Sequence, residues 1–184
     1  MEADRSNLSQ TGFSPRELRN ALGMFTTGVA VVTSEVNGSR LGTTVSSFNS
    51  VSLAPPLVLF SLAHTALSLD LWRQVKMFGV TVLRESQSEI STRFSRAASD
   101  KWTGVTIVRG ENGVLLLSGG IATFECEMHA IHDGGDHDIV VGKVMAFSKA
   151  EGAPLLFHAG HYRRIQSEAQ VESPPSSDVW MYGW

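Results

Sequence analysis

The chain reads as a mainly β protein: an antiparallel, Greek-key-like barrel with a few flanking helices. Three observations predict this. Short β-branched runs recur along the chain, separated by Gly, Pro and Asn-Gly turns. Helical patterns are few and do not alternate with strands as a doubly wound sheet requires. Beyond Trp102, every patterned segment reads as strand, and there is no internal repeat.

The elements follow in order. Ser14, Pro15 and Glu17 make a capping box with proline at the first helical position. Leu18, Ala21, Leu22 and Phe25 then supply an apolar face at helical spacing, ending at Thr26-Thr27-Gly28. Residues 29–33 are β-branched and continuous, which predicts a buried strand, and Asn37-Gly38 is a hairpin turn signal. Residues 43–52, rich in Thr, Ser and Val, predict a second strand, broken by Ala54-Pro55-Pro56; residues 57–62 predict a third. Thr65 or Ser68 can cap a short helix with Leu67, Leu71 and Val75 inward. Residues 78–83 are strand. Ser86 and Glu89 form a second capping box, opening a helix with Ile90, Phe94 and Ala97 on one face. Strands are then expected at 105–108, 120–131, 138–149, 155–158 and 161–165.

Composition bounds the function. The 184 residues suffice for one domain with a core. Residues 13–166 are expected to form it, after a disordered 1–12. Residues 167–184 read as a tail: a Pro/Ser linker, then an end containing Trp180, Tyr182 and Trp184. The net charge of -3, with scattered Lys and Arg, offers no surface for nucleic acid or an anionic membrane. Apolar stretches are too short to span a bilayer, and no signal peptide is visible. One cysteine, Cys126, excludes a disulfide framework and fits a cytoplasmic protein. Lying between Glu125 and Glu127, it reads as structural, because flanking carboxylates raise a thiol pKa.

Several chemistries are excluded by absence. No Gly-x-Gly occurs, so neither a dinucleotide fingerprint nor a phosphate loop is available. There is no Gly-x-Ser-x-Gly elbow and no His-Glu-x-x-His. The sharpest local constellation is His132-Asp133-Gly134-Gly135-Asp136-His137-Asp138, which reads either as a polar turn or as metal ligands brought together across a hairpin.

Five segments, in order and with natural spacing from about residue 13 to 165, carry a resemblance. They are residues 19–33, containing Thr26-Thr27-Gly28-Val29-Ala30; Gly42-Thr43-Thr44-Val45-Ser46-Ser47-Phe48-Asn49-Ser50-Val51-Ser52 followed by Pro55-Pro56; Phe78-Gly79-Val80-Thr81-Val82-Leu83, with Gln87 and Phe94 beyond; Gly135-Asp136-His137 with Val141-Gly142-Lys143-Val144; and Pro154-Leu155-Leu156-Phe157-His158 with Gly160-His161-Tyr162. Together they resemble the flavin reductase family that supplies reduced flavin to two-component monooxygenases.

The resemblance implies an FMN-binding split barrel, a homodimer, FMN or FAD as flavin, NADH or NADPH as hydride donor, and a separate monooxygenase partner. It places Thr27, Gly28, Val29 and Ala30, and Thr44, Val45, Ser46, Ser47, Ser50, Val51 and Ser52, beside the isoalloxazine. Small residues and backbone N–H groups suit that task, since they approach a flat ring closely and donate to its pyrimidine edge. Without the resemblance, the same segments read as a core strand and a Thr/Ser-rich edge strand. His64, Thr65 and Ser68, at a strand-to-helix junction, are the implied phosphate site, with plain capping as the alternative. The family often has a basic or amide side chain near His64. Phe94 and Arg96 resemble a second clamp; Arg96 also reads as a solvated surface charge. His137 is implied as the catalytic residue, orienting the nicotinamide or relaying a proton, and Tyr162 as a wall on that side. His161 stands where the family commonly has Arg, which leaves NADH against NADPH open. No metal site is implied. Two other readings share the architecture. One is a non-catalytic flavin- or haem-binding carrier. The other is a pyridoxamine-phosphate-oxidase-like enzyme, for which Arg73 and Lys76 are too few cations between residues 43 and 83.

Overall fold

A computed structural model describes residues 12–97 and 100–166. The expectations for the two chain ends, 1–11 and 167–184, lie outside the described residues. The order is α1 Pro15–Leu22, β1 Thr27–Gly28, β2 Ala30–Val36, β3 Ser39–Val45, β4 Asn49–Leu53, β5 Pro56–Ala63, α2 Leu69–Trp72, β6 Met77–Val82, α3 Ser88–Phe94, β7 Ile107–Arg109, β8 Leu115–Leu117, β9 Ala122–Asp133, β10 His137–Lys149, β11 Leu156–His158 and β12 His161–Arg163.

The main sheet is antiparallel, in the order β3-β2-β6-β9-β10-β5-β4. Its two edges, β3 and β4, are joined by only residues 46–48, so the sheet must roll until they meet. The core confirms the closure. Leu41 and Val45 on β3 share one cluster with Val58, Phe60 and Leu62 on β5. Inside, Phe60 meets Phe78 and Trp72 edge-on at 5.4 and 5.7 Å. Each such aromatic pair adds about 0.5–1.5 kcal/mol beyond area burial. The antiparallel barrel expected from the sequence is the fold.

β2 explains why residues 29–33 read as a continuous buried run. Ala30 and Val32 face the barrel interior, while Val29 and Val31 face a second core with Leu83, Phe94, Leu117 and Leu155. Both faces are covered, so the polar side chains that follow, Thr33 and Ser34, give their hydroxyl protons to the carbonyl oxygens of Leu115 and Met77. The outer layer includes β8, which the sequence reading lacks. β8 lies so close to β6 that a Cβ at Gly79 would fall 2.3 Å from the Leu115 carbonyl oxygen. Asn37 and Gly38 both take positive φ, 51° and 77°, closing the predicted hairpin.

Several local expectations are corrected. The capping box of α1 forms, with Glu17 N–H donating to Ser14 Oγ at 3.2 Å and Ser14 N–H to Glu17 Oε2 at 2.7 Å. The helix nonetheless ends at Leu22, and none of its residues is buried. The chain turns away there, because Ala159 N–H bonds Gly23 O and Thr27-Gly28 pair with β11. The expected strand 43–52 is two strands. Phe48 turns inward onto Phe124, 5.4 Å away, and Ser47 Oγ accepts the Ser61 N–H at 2.9 Å. The helix after Ser68 is a single turn with no side-chain cap; Trp72 and Val75 enter the core, whereas Leu67 is 90% exposed. At the next helix, the reciprocal bond comes from Arg84 N–H to Gln87 Oε1, 2.9 Å, rather than from the Ser86–Glu89 box, after which a 3-10 turn leads into α3. Ala97 lies exposed beyond the helix end. Among the described residues, no helix is long and apolar enough to cross a membrane.

Candidate functional site

β3 brings Gly42 beneath α3. A Cβ there would sit 2.6 Å from the Phe94 ring and 3.0 Å from Trp102, so glycine is what lets the aromatic pair close over the strand. Phe94 and Trp102 meet edge-on at 4.9 Å. α3 is further tied to β3 by Thr44 Oγ1, which donates to Ser91 O at 2.7 Å. Beside this joint opens a cleft of about 500 Å³ with Ser68 and Leu71 on one wall and Phe94 and Trp102 on the other. Among the described residues its charged lining is Arg40, Arg96 and Lys101, with no carboxylate. Lys101 Nζ donates to Gly42 O at 3.0 Å, and burial pulls its ammonium below the ordinary lysine value. A second cleft, about 410 Å³, shares Arg96 and Lys101 and adds Arg93 and Tyr162 together with two carboxylates, Glu89 and Asp100. An apolar floor under convergent cations suits a ligand with a flat ring and a phosphate.

The structure sorts the predicted residues. Ser68, Phe94 and Arg96 meet at the first cleft, and Arg96 and Tyr162 at the second. Phe94 is 1% exposed, so it is floor rather than clamp. Tyr162 OH donates to Ser91 Oγ at 2.8 Å, and its ring packs on Phe157. In the first ring segment, Val29 and Ala30 are core. Val29 also uses both backbone groups, with Leu155 O and Leu83 N–H, and has no donor left for a ligand. Thr27 and Gly28 remain, and the Thr27 hydroxyl is buried without a hydrogen-bond partner among the described residues. In the second segment, Val45 is core, and the hydroxyls of Thr44 and Ser47 hold the fold together. Ser46, Ser50, Val51 and Ser52 are at least partly exposed.

The 132–138 constellation is divided. Asp136 Oδ1 and His137 Nδ1 pair at 2.6 Å in the exposed turn, and that bond holds the Asp136 carboxyl below the usual range. Asp138 turns inward instead. It accepts from Arg73 Nε at 2.8 Å and Nη2 at 3.2 Å, and contacts His64 Nε2 at 2.8 Å. The Arg73 guanidinium first, then the His64 imidazole, lowers its pKa. His64 therefore faces Asp138, while Thr65 is exposed. Among the described residues, no group of three or more His, Cys, Asp or Glu side chains converges as metal ligands would. Cys126 is fully buried, its thiol pushed up to about 12 by burial and then by Glu125.

Sequence reasoning missed Arg40, Lys101 and Trp102 at the cleft, and it named Asp138 and Arg73 without foreseeing that they pair with each other and with His64. Gly42 was the available signal, since a glycine inside a β-branched strand marks a close approach. Lys101 and Trp102 come from a segment with no periodicity, and only the tertiary fold sets them over Gly42.

Comparison with known proteins identifies the family. The flavin reductase like domain model matches residues 22–166. The reductase subunit of a flavin-dependent monooxygenase from Rhodococcus jostii is 36% identical over 166 residues, 90% of this chain and 85% of that protein. An NADH-dependent FMN reductase from Agrobacterium fabrum is 40% identical over 157 residues, covering 85% and 90%. The NADH:FAD oxidoreductase of Streptomyces globisporus, solved with NAD and FAD fragments, superposes with a TM-score of 0.80 at 35% identity, covering 84% of this chain and 94% of that one. With its barrel, its order of segments and most of its length matched, the chain belongs to the flavin reductase like domain family.

Proposed function

We propose that the chain is an NAD(P)H:flavin oxidoreductase that reduces FMN or FAD and passes the product to a separate flavin-dependent monooxygenase. The observation that carries this reading is the cleft that Arg40, Arg96 and Lys101 line together with the Phe94–Trp102 pair, with no carboxylate among its described lining residues. Similarity to reductases named for NADH, FMN and FAD supports the same chemistry.

When bound, the flavin supplies the redox chemistry, accepting a hydride from the reduced nicotinamide. Arg96, Lys101 and Ser68 hold its phosphate end. Leu71, Phe94 and Trp102 keep water from the cleft floor. In this reading Thr27, whose hydroxyl has no partner among the described residues, and Gly28 border the ring with Ser46, Ser50, Val51 and Ser52, all of which lie outside the lining of the two clefts. Thr44, Val45, Ser47, Val29 and Ala30 shape that surface from behind. His137 is the nicotinamide-side residue: with Nδ1 held by Asp136, Nε2 is left to orient the donor. Tyr162, anchored on Ser91, walls that side. Thr65 and His64 belong to the supporting loop.

A homodimer is part of the proposal. Leu22, Met24 and Phe25 are 66, 65 and 79% exposed, an apolar face that a second copy would cover. A cytoplasmic location fits the free, buried Cys126. The test is steady-state oxidation of NADH and NADPH with FMN and with FAD. A rate well above that of free flavin is expected in at least one combination; no acceleration in any of the four overturns the proposal.

A further inference from the structure

Asp138 is the only carboxylate among the described residues that binds both a guanidinium and an imidazole. Its side chain is 7% exposed. Both partners lie on one stretch of chain: His64 just after β5, Arg73 just after α2. Between them run Ala66, Leu67, Ser68 and Leu71, which form one wall of the 500 Å³ cleft.

Trp72, 1% exposed, roots the middle of this wall in the core, with Ala66, Leu69 and Leu71 packed against the same cluster, and what the core does not fix is the two ends of the segment. Its helix is a single turn of four residues, and Ser68 makes no side-chain cap. Isolated helices need roughly 12–15 residues to persist. The backbone of His64 adds one further tie, its N–H donating to Asp136 O at 2.9 Å. Arg73 also approaches Asp70, but only at 3.9 Å and on an exposed carboxylate. A bidentate fork fixes orientation as well as distance. Arg73 is 47% and His64 35% exposed, and ion pairs open to solvent add little net stability, which leaves placement as the main effect of this geometry.

We propose that Asp138 is a positioning residue for flavin affinity: it pins both ends of segment 64–73 and so sets the cleft wall against Arg96 and Lys101. This rests on the flavin-reductase reading of the cleft. It does not involve the nicotinamide side, although Asp138 is next to His137 in sequence. Arg73 separates the two, because it reaches the same carboxylate from the loop and leaves β10 untouched.

The experiment measures FMN and FAD binding by fluorescence titration, steady-state kinetics and thermal midpoints for the wild type, Asp138→Asn, Arg73→Gln and Arg73→Lys. Arg73→Gln is expected to weaken flavin binding roughly tenfold, with kcat and nicotinamide KM within about twofold of wild type. Arg73→Lys, which keeps the charge but loses the fork, should fall between. Half-exposed Arg73 can be replaced without opening the core, so its variants decide the matter if Asp138→Asn does not fold. Folded Arg73 variants with unchanged flavin affinity overturn the inference. So does a parallel change in kcat and both KM values, which would mark a global effect. Wild-type protein that binds neither flavin overturns the functional reading, and the inference with it.

Discussion

Two carboxylates, Glu125 and Asp138, are each 5% exposed on neighbouring strands of one barrel, yet they serve different ends. Glu125 accepts two backbone N–H groups, Glu111 at 2.8 Å and Asn112 at 2.7 Å, and so closes the turn between β7 and β8. Asp138 accepts side chains and holds a loop that borders the cleft. The difference teaches that burial alone does not mark a functional acid. A carboxylate spent on backbone donors stabilises a turn wherever it lies. One spent on two long side chains sets the position of whatever those side chains belong to.

The largest effect that tests this contrast is on Glu125. Glu125→Ala leaves two donors without their acceptor and is expected to cost roughly 2–4 kcal/mol. Urea unfolding would measure it, and flavin affinity of the folded protein should not change. A loss of flavin affinity there would erase the distinction between the two acids. Next comes the residue beside Asp138. His137→Ala is expected to raise nicotinamide KM roughly tenfold while sparing flavin affinity, since His137 faces outward where Asp138 faces in. Weakened flavin binding in that variant would merge the two roles.

A smaller effect comes from pH. The folded Asp138 carboxyl lies below its ordinary value because of Arg73 and then His64. Its contribution to stability is therefore complete above the unfolded value, about 3.9, and is lost as pH falls through the lower folded value. The stability gap between wild type and Asp138→Asn should narrow as pH drops below about 4. Thermal midpoints across that range check it; a gap that widens on acidification contradicts the assignment. The smallest effect is a null one at Glu125's neighbour. With its thiol at about 12 and fully buried, Cys126 should resist thiol reagents at mild alkaline pH until the protein unfolds. Rapid labelling of the native protein would show the core around β9 to be open.

Much of the fold was legible because its signals are local. Ser14, Pro15 and Glu17 cap α1 through groups three residues apart. Asn37-Gly38 turns because both residues tolerate positive φ. Residues 29–32 are apolar without alternation because both faces of the strand are covered. The break at residues 46–48 was not legible, since Ser46 and Ser47 suit a strand as well as a bend; Phe48 bends inward only because Phe124, far along the chain, is there to receive it. The end of α1 at Leu22 likewise depends on β11, more than a hundred residues on.

The site divides the same way. Residue order and type alone were enough to point to the family, and they named Ser68 and Arg96, which the fold brings to one cleft. Lys101 over Gly42, the Thr27 hydroxyl without a partner among the described residues, and the turning of His64 toward Asp138 were decided by the tertiary structure. Each joins residues distant in sequence, and which hydrogen-bonding groups are already taken becomes known only when the barrel has closed.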